Sequence, residues 1–591
     1  MKQIVQHQKT GDILVEEMPT PQCLPGGILV RVACSAISAG TEKTSVSNAK
    51  STLLERARKQ PDQVRLVLDF VKKEGIVSTL RRVQNKLASF KTLGYSLSGT
   101  VIESLTAEFS VGDRVACAGA GYAVHSEIVT VPRNLAVKMP EAVSFAEAAY
   151  CTIASIAMQG VRQADVRLGE SVAVIGLGLI GQITIQLLKA SGCRVVGLDI
   201  NSSLFDISRA SGADEAYLSS PDEIKRIRGA SGASGFDAVL LTAGTSSNEP
   251  VEIALQIARK RGKVVVVGAV GMNLPRSPFY EKEIDFKISC SYGPGRYDPT
   301  YEELGADYPA AFVRWTENRN MQAVLQLLAS RKINFDLLTT HRFEMDKAAD
   351  AYDIITGKVH EKHLGVLLEY PERPQEKITI PSVAPAKSGQ VAISLIGAGS
   401  FAQSMLLPPI KASEAELITV TTSTPSNATS IAKRYGFAHA STDSLEAIAS
   451  PESNLAFCAT RHDSHAEYVL KAIESAKPIF VEKPLCTSVE QLLEIEKALA
   501  EHPSPIMVGF NRRFSKSFVA IDEFFRGRSE PMMIKYRVNA GFIPKTHWLY
   551  QPGQGDGRIV GEACHFIDCM VFLTKSMPTK VYAESISSSN P

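Results

Sequence analysis

Short apolar runs rich in Val and Ile alternate with helical periodicity over two long stretches of the chain. The runs of the first stretch are "VAVIG", "RVVGLDI", "DAVLLTA" and "KVVVVGAV", and those of the second are "VAISLIG", "LITVTTST", "LAFCAT", "PIFVEKP" and "PIMVGFNRRF". A short run that is apolar throughout is typical of a strand that is buried on both faces of a parallel sheet. The pattern therefore predicts two separate doubly wound α/β domains.

The first 150 residues follow another pattern, because the β-type runs "ILVRVACSAIS", "SLSGTVIES" and "DRVACAGAGYAVHSEIVTVP" are separated by Gly and Pro. This punctuation predicts a small β-barrel-like domain. Between them, residues 51–91 have helical patterning, and from Lys50 to Lys91 eleven Lys and Arg stand against four acids. We interpret this basic segment either as a solvated helical hairpin or as an anion-facing cap over a phosphorylated substrate.

These patterns divide the chain into six parts. The predicted parts are the β domain with its basic helical insertion (1–150, insertion 51–91), a first nucleotide-binding domain (151–295), a return to the β-domain or substrate side (296–370), a Pro-rich linker (371–389), a second nucleotide-binding domain (390–508) and the start of an α/β substrate domain (509–591). In the last part, "MMIKYRV" is predicted as a strand and "CHFIDCMVFL" as a helix. Because this part is short, it is either a reduced domain or a fragment of a longer one.

Composition narrows the class of protein. A chain of 591 residues is too long for one hydrophobic core, and its formal net charge of +2 gives no global attraction to nucleic acid. The ten cysteines form no C-x-x-C pair, as expected of reduced thiols. No apolar stretch reaches the ~18 residues of a membrane span. We therefore expect a cytoplasmic protein. We also expect it to form a homo-oligomer and to act on a small molecule.

A glycine fingerprint follows the first strand in each of the two predicted α/β domains. The residues are Gly176, Gly178 and Gly181 in the first domain, and Gly397, Gly399 and Ala402 in the second. Glycines at this spacing allow a tight turn and let a pyrophosphate approach the unpaired N–H groups of a helix N-terminus. Each fingerprint lies in full strand–turn–helix context, so the sequence predicts two dinucleotide sites.

The residues at the end of each second strand indicate which dinucleotide is bound. Asp199 lies 18 residues after Gly181, where a carboxylate hydrogen-bonds a ribose hydroxyl and repels a 2′-phosphate. The first site is therefore expected to prefer NAD. Thr422 and Ser423 occupy the corresponding place in the second domain, and their hydroxyls leave the choice between NAD and NADP open.

Residues 1 to about 370 resemble the medium-chain dehydrogenase/reductase family, which joins a GroES-like domain to a Rossmann domain. In zinc-dependent members the metal ligands lie where this chain has Ala39 (in "AGTE"), Tyr95 (in "GYS") and Cys151. A zinc site needs three protein donors, so we expect no zinc and interpret Cys151 as a packed core residue. By position, Thr41 and Tyr95 are then the candidate groups for polarising a substrate. The polar stretch "YGPGRYDPTYE" (Tyr292–Glu302) is expected either beside the cofactor or as a simple turn-rich loop.

Residues 390–591 resemble the glucose–fructose oxidoreductase/inositol dehydrogenase (Gfo/Idh/MocA) family, through the second fingerprint, "CATRHDSHAEYVLKAI", "VEKPL", "GFNRRF" and "GEACHFID". The resemblance implies that Lys483 contacts the reacting hydroxyl and that His565 shares its proton. It also places Thr460 and Glu482 at the cofactor. Family members carry an Asp four residues before the His, whereas this chain has Gly561.

The resemblances together imply a multidomain α/β protein, with a GroES-like β domain, two Rossmann domains and a partial α+β C-terminal domain. This arrangement resembles bacterial bi-domain oxidoreductases associated with surface-polysaccharide synthesis. We therefore hypothesise an NAD(P)-dependent oxidoreductase acting on a sugar or nucleotide sugar, with two redox modules that raise the effective concentration of a shared intermediate. The alternative is a nucleotide-sensing or scaffolding protein in which one or both modules bind cofactor without turnover.

Overall fold

The chain folds into two compact units, the first formed by Met1–Thr79 and Lys86–Ile378 and the second by Leu80–Asn85 and Thr379–Pro591. The computed structural model describes residues 1–50, 61–232, 234–371, 389–544, 547–550, 555 and 557–585. Most of the predicted linker and residues 51–60 of the predicted basic segment lie outside these ranges. The two units are described separately below.

A six-stranded parallel sheet forms the nucleotide-binding part of the first unit. In spatial order its strands are Glu215–Leu218, Arg194–Asp199, Ser171–Ile175, Phe236–Leu241, Ala258–Val266 and Asp285–Ile288. When the strands are numbered along the chain, their order across the sheet is 3-2-1-4-5-6. The order reverses between the first and fourth strands, and a crevice opens there at their carboxyl ends. The all-apolar runs explain the sheet, because most of their side chains are fully buried. The first doubly wound domain is thereby confirmed.

The β-rich part of the first unit is built from two further sheets. A seven-stranded sheet has the order Thr339–Glu344, Gly365–Glu369, Gly27–Ile37, Ser96–Ser104, Arg114–Ala118 and Ala136–Lys138, with Ile128–Pro132 also pairing with Gly27–Ile37. A three-stranded sheet has the order Ile13–Glu17, Lys2–His7 and Phe90–Thr92. Residues from the third predicted part of the chain thus return to the N-terminal β structure through strand Gly365–Glu369.

Helices cover both parts of this unit. They are Ala39–Lys50, Pro61–Glu74, Ile76–Leu87 (whose middle turns group with the second unit), Phe145–Ala148, Cys151–Ala164, Leu179–Ala190, Phe205–Ala210, Ile224–Ala230, Glu249–Ile257, Arg276–Lys282, Pro299–Glu302, Glu317–Ala329 and Ala348–Thr356. The predicted basic segment is helical at Pro61–Glu74 and Ile76–Leu87. Large side chains such as Tyr150, Phe335 and Tyr352 are fully buried where the sheet and helices pack.

The second unit repeats the same sheet with shorter strands. Its spatial order is His439–Ser441, Glu416–Thr421, Ala392–Ile396, Leu455–Cys458, Ile479–Val481 and Ile506–Val508, all parallel. Its helices are Leu407–Ala412, Pro425–Tyr435, Ser444–Ala449, His465–Glu474, Val489–Glu501, Lys516–Phe524 and Cys564–Thr574, with π-helical turns at Ala402–Leu406 and Ile559–Ala563. The second doubly wound domain is confirmed, and its crevice again lies at the carboxyl ends of the strands.

The C-terminal part differs from the sequence-based prediction in one respect. The strand predicted for "MMIKYRV" is wrong, since residues 531–544 have no regular secondary structure. A strand needs a partner for its backbone N–H and C=O groups, and no strand of the described C-terminal residues pairs with this segment. The helix predicted for "CHFIDCMVFL" forms at Cys564–Thr574. Among the helices that the structure describes, none is long and apolar enough to cross a membrane.

Candidate functional site

The first fingerprint places three glycines in three different physical roles. Gly176 has a φ of +99°, and a Cβ there would lie 2.5 Å from the backbone N of Ala243. A Cβ on Gly181 would lie 1.9 Å from the Gly176 carbonyl oxygen, so the helix can approach the strand only without a side chain. Gly178 precedes helix Leu179–Ala190 and has open space around it. That space, facing unpaired helix N–H groups, fits a pyrophosphate.

Asp199 is held at the edge of this crevice by two backbone groups. Its Oδ2 accepts a hydrogen bond from Leu177 N at 2.6 Å, and its Oδ1 accepts one from Asn201 N at 2.8 Å. The first of these donors lies inside the fingerprint turn. The carboxylate is therefore fixed where the strand Arg194–Asp199 ends, at the place that a ribose occupies in this kind of crevice.

Of the three positions that carry zinc ligands in zinc-dependent members, only Cys151 has a side chain that commonly binds zinc. Ala39 starts a helix and has no donor atom, and the Cys151 thiol is buried and donates to the Met321 carbonyl at 3.5 Å. Burial raises the pKa of Tyr95 to about 12, although hydrogen bonds with the side chains of Ser38 and Thr41 oppose the rise. These residues do not fit a tetrahedral zinc ion, which needs three protein donors. Within the described ranges, no group of three or more His, Cys, Asp and Glu side chains could hold a metal.

The structure brings the two candidate donors of the first module together and adds a buried network beside them. Glu42, next to Thr41, accepts hydrogen bonds from Ser38 N at 2.9 Å and from the Tyr352 hydroxyl. The Nε2 of the fully buried His125 lies 3.3 Å from the same carboxylate, and its Nδ1 lies 2.7 Å from the Ser35 hydroxyl. Sequence reasoning missed this network because its members are far apart in the chain.

The polar stretch Tyr292–Glu302 follows the last strand of the first parallel sheet and is held by its own charges. Arg296 donates to Glu302 at 2.6 Å, and its guanidinium lies 4.1 Å from the Tyr297 ring centroid. Behind it, Glu317 is fully buried, and neither carboxyl oxygen has a hydrogen-bond partner among the described residues. Burial, with Glu302 nearby, raises the pKa of Glu317 to about 9, so this carboxyl is neutral at pH 7.

The second fingerprint keeps the first two glycines, but it has Ala402 at the third position and continues into the π-helical turn Ala402–Leu406. Gly397 has a φ of +81°, and a Cβ there would lie 2.6 Å from Thr460 Cγ2. Gly399 has open space around it, as Gly178 does, and Ala402 is buried at the third position. These residues fit a pyrophosphate as well as the first fingerprint does. Thr460 therefore lies against the first turn of the fingerprint.

The end of the second strand carries hydroxyls rather than a carboxylate. The Thr422 hydroxyl donates to the Thr424 carbonyl at 2.8 Å, and Ser423 is exposed. A 2′-phosphate would meet no negative charge from these two side chains.

Lys483 is aimed by the packing of its neighbours. Its Nζ donates to the Gly561 carbonyl at 2.6 Å. A Cβ on Gly561 would lie 2.8 Å from Leu549 Cδ1 and 3.0 Å from His462 Cε1, so a side chain here would require these two side chains to shift. The buried Glu482 packs against the backbone of Gly509, where a Cβ would lie 2.9 Å from its Oε1. A backbone carbonyl thus takes the place of a carboxylate beside the lysine.

His465 anchors the other side of the same loop. Its Nδ1 donates to the Pro484 carbonyl at 2.6 Å, and it is completely buried. Burial lowers the pKa of His465, and its hydrogen bonds to the backbone of Pro484 and Thr460 oppose this change. His465 belongs to the motif "CATRHDSHAEYVLKAI", but nothing in that motif indicates its contact with Pro484.

Lys483 and His565 meet at a cavity of about 480 Å³. Its walls comprise Lys483, Arg512, Tyr536, Arg537, Val538, Asn539, Ala540, Glu562, His565 and Phe566. Burial, together with the charges of Lys483 and Arg512, lowers the pKa of His565 to about 4. The Nδ1 of His565 has no hydrogen-bond partner among the described residues.

This arrangement can withdraw a proton from a hydroxyl group. A neutral imidazole with an open nitrogen can accept the proton, and an ammonium with three N–H groups can stabilise the oxygen as it becomes negative. A nicotinamide dinucleotide, when bound, supplies the hydride acceptor.

Comparisons with known proteins assign both modules. The model of the zinc-binding dehydrogenases matches residues 180–306, and that of an oxidoreductase family with an NAD-binding Rossmann fold (Gfo/Idh/MocA) matches residues 391–510. The D-guloside 3-dehydrogenases of Shigella flexneri and Escherichia coli are 34% identical over 257 residues, which cover 41% of this chain and 67% of theirs. The chain belongs to the zinc-binding dehydrogenase family. The same polypeptide contains a second module that matches the oxidoreductase family with an NAD-binding Rossmann fold.

Other similar proteins have related names. Sorbitol dehydrogenase of Ovis aries is 27% identical over 298 residues, which cover 44% of this chain and 76% of that protein. Among solved structures, an alcohol dehydrogenase from Thermus sp. ATN1 has a TM-score of 0.48 at 20% identity and covers 63% of this chain and all of its own. The two family models and the similarity to the D-guloside 3-dehydrogenases make this chain an NAD(P)-dependent oxidoreductase that acts on CH–OH groups.

Sequence reasoning did not single out two charged residues of the cavity, Arg512 and Arg537. Arg512 lies inside the quoted "GFNRRF" motif, directly before Arg513, and nothing in the motif says which of the two arginines faces the cavity. Arg513 forms a bidentate ion pair with Asp568. Arg537 lies in the segment predicted as a strand, and only the tertiary structure brings it to Lys483.

Proposed function

We propose that the chain is an NAD(P)-dependent oxidoreductase that acts on a hydroxyl group of a sugar or nucleotide sugar. The observation that carries this proposal is the cavity in which Lys483 and His565 meet next to the cofactor edge of the second sheet. Polyhydroxylated substrates suit a cavity with several charged and polar walls, since each hydroxyl needs a partner when it leaves water. The sugar and polyol dehydrogenases among the similar proteins support the same substrate class.

In the second module each residue has a distinct part. Lys483 holds the reacting hydroxyl and stabilises its oxygen, while the neutral His565 accepts the proton. Thr460 and Glu482 shape the crevice around the cofactor, and Gly399 admits the pyrophosphate. The carboxyl edge of the second strand, with Thr422 and Ser423, accepts either NAD or NADP.

In the first module we propose an NAD site that works without zinc. Asp199 selects NAD, and Thr41 and Tyr95 polarise the substrate oxygen in place of the metal. The raised pKa of Tyr95, about 12, keeps its hydroxyl protonated at pH 7 and therefore able to donate a hydrogen bond. Two modules in one chain suit sequential oxidation and reduction of one substrate.

The biological setting is a further part of this proposal. We propose a cytoplasmic homo-oligomer that serves bacterial surface-polysaccharide synthesis, because the two-module arrangement resembles oxidoreductases of that setting. Deletion of the gene should change the sugar composition of the surface polysaccharide, and size-exclusion chromatography with light scattering should give a mass above that of one chain.

The deciding experiment follows NAD(P)H absorbance with a panel of sugars, polyols and nucleotide sugars. Reduction of NAD⁺ or NADP⁺ that is lost in Lys483→Met would support catalysis in the second module, because Met keeps the length of the side chain without its charge. Cofactor binding in calorimetry without turnover of any substrate would instead favour a nucleotide sensor or scaffold. Elemental analysis showing about one zinc per chain after dialysis would contradict the zinc-free first module.

A further inference from the structure

The cavity of the second module contains more positive than negative charge. Lys483, Arg512 and Arg537 line it, and none of the three forms an ion pair with a carboxylate among the described residues. The acid on the cavity wall, Glu562, is paired with Arg558, whose guanidinium lies 3.0 Å from its Oε2. Among the described residues, the three cations therefore line one cavity without an ion-pair partner, and the one acid on its wall is already paired.

The neighbouring arginine shows that this lack of pairing is specific to the cavity. Arg513 adjoins Arg512 in the chain, yet it forms a bidentate ion pair with Asp568, a side chain that is only 7% exposed. Arg512 turns the other way and lies with its guanidinium carbon 5.0 Å from the centroid of the Phe566 ring. Two adjacent arginines thus have different roles, one pairing with a buried carboxylate and one facing the cavity.

Aromatic packing gives the cationic wall a defined shape. The rings of Tyr536 and Phe566 lie 5.0 Å apart between centroids, and Tyr536 also stacks on Phe518 at 6.2 Å. Tyr536 directly precedes Arg537, so its packing positions the start of that side chain. Planar guanidinium groups on such a wall suit bidentate binding of a carboxylate or phosphate.

We infer that the substrate of the second module carries an anionic group, a carboxylate or a phosphate, which Arg512 and Arg537 bind. The hydroxyl to be oxidised then faces Lys483 and His565 in the same cavity, whose volume is typical of small-molecule sites. This inference rests on the proposed function of the second module and specifies its substrate class as acidic or phosphorylated sugars. Arg512 and Arg537 set specificity, whereas Lys483 and His565 act on the reacting hydroxyl.

The test compares three ligands that share a pyranose ring: D-glucuronate, D-glucose 1-phosphate and neutral D-glucose. The double variant Arg512→Gln, Arg537→Gln is compared with the unmodified protein and with Arg526→Gln, an exposed arginine of the same module outside the cavity. We expect the double variant to raise the KM of the anionic ligand roughly 10–100-fold with little change in kcat, since hydrogen bonds to a charged group are lost. The KM of D-glucose should stay the same, and Arg526→Gln should behave as the unmodified protein.

Calorimetry of the same ligands separates this inference from the proposed function. Binding of D-glucuronate or D-glucose 1-phosphate at least tenfold tighter than D-glucose, lost in the double variant, supports the anion site even if no ligand is oxidised. The tighter of the two anions identifies carboxylate or phosphate. Equal affinity for the charged and neutral ligands, or an equal loss of affinity for both in the double variant, would overturn the inference. The proposed redox function would then still be tested separately by Lys483→Met.

Discussion

The two parallel sheets of this chain share one strand order, but their carboxyl edges differ in charge and in chemistry. In the first module the second strand of this sheet ends in the carboxylate of Asp199, and the candidate donors, Thr41 and Tyr95 of the β-rich part, are hydroxyls. The second edge has the hydroxyls of Thr422 and Ser423, and its candidate catalytic pair is a lysine and a histidine. The fold thus places a nucleotide crevice in each module, and we propose that a few residues at the strand ends decide which nucleotide and which chemistry it serves.

The two modules also differ in their buried ionisable groups. The first module holds a neutral carboxyl, Glu317, whereas the second holds a neutral imidazole, His565, beside unpaired cations. These two groups respond to pH in opposite directions. Each module also contains one of the two tryptophans, Trp315 in the first and Trp548 in the second, so fluorescence of Trp548→Phe or Trp315→Phe reports on one module at a time.

The largest expected effect is that of removing the lysine of the second module. Lys483→Ala should lower turnover at that site by roughly 10²–10⁴-fold, as expected for loss of a group in proton transfer. Cofactor affinity should change little, because the pyrophosphate lies at Gly399. Stopped-flow NAD(P)H absorbance gives the rate and calorimetry the affinity, with the exposed Lys497→Ala as control. Full activity, or a loss explained by cofactor binding, would return Lys483 to a structural role.

Introducing a negative charge at Gly178 or at Gly399 should weaken cofactor binding in one module without affecting the other. Gly178→Asp and Gly399→Asp should each weaken dinucleotide binding in their own module by roughly 100-fold or more, since the carboxylate faces the pyrophosphate. Folding should be retained, because a Cβ at either position meets no atom within 4 Å and Asp is favoured before a helix. Titration calorimetry should show two sites per unmodified chain and one in each variant. A single site in the unmodified protein would mean that one crevice does not bind a dinucleotide.

Cofactor choice in the first module should depend on one charge. Asp199→Asn should weaken NAD binding by roughly 10–100-fold, because a ribose hydroxyl loses its charged acceptor, and should reduce discrimination against NADP. Asp206→Asn, an exposed carboxylate in the same domain, is the matched control. Competition binding with NADH and NADPH measures the ratio, and unchanged discrimination would contradict the role given to Asp199.

The buried carboxyl of the first module should make that module less stable at higher pH. The pKa of Glu317 is raised from 4.5 to about 9, so between these values the unfolded state is ionised and the folded state is not. Stability is then lost as the pH rises through this range. Glu317→Gln should raise the free energy of unfolding at pH 7 by about 1–3 kcal/mol. Urea unfolding followed by Trp315 fluorescence tests this, and the same pH slope in the variant would exclude Glu317 as its cause.

The smallest effect concerns the imidazole of the second module and has the opposite sign. The pKa of His565 is lowered from 6.5 to about 4, so the unfolded state binds a proton in this range and the folded state does not. Stability should fall by about 1 kcal/mol as the pH decreases from 6.5 to 5. Trp548 fluorescence reports the transition. His565→Gln should remove this part of the pH dependence, and an unchanged slope would argue against a buried neutral histidine.

The sequence predicted the elements whose signals are local. The two fingerprints, the strand before each of them and the helix after each follow from runs of neighbouring residues, and the structure confirms both doubly wound sheets. The sequence also singled out Lys483 and His565, 82 positions apart, through a family resemblance, and the structure lines one cavity with both. It failed for "MMIKYRV", because the apolar content of a segment does not supply the partner strand that a strand requires.

Residue identity along the chain thus determined which segments form strands, where the glycine turns fall and which side chains can carry charge or accept a proton. Only the tertiary structure decided what those side chains meet. It brought the Gly561 carbonyl to Lys483, and it paired Arg513 with Asp568 while leaving Arg512 facing the cavity. Backbone conformation depends on a few adjacent residues, whereas burial, charge pairing and pKa depend on groups that folding brings together from distant parts of the chain.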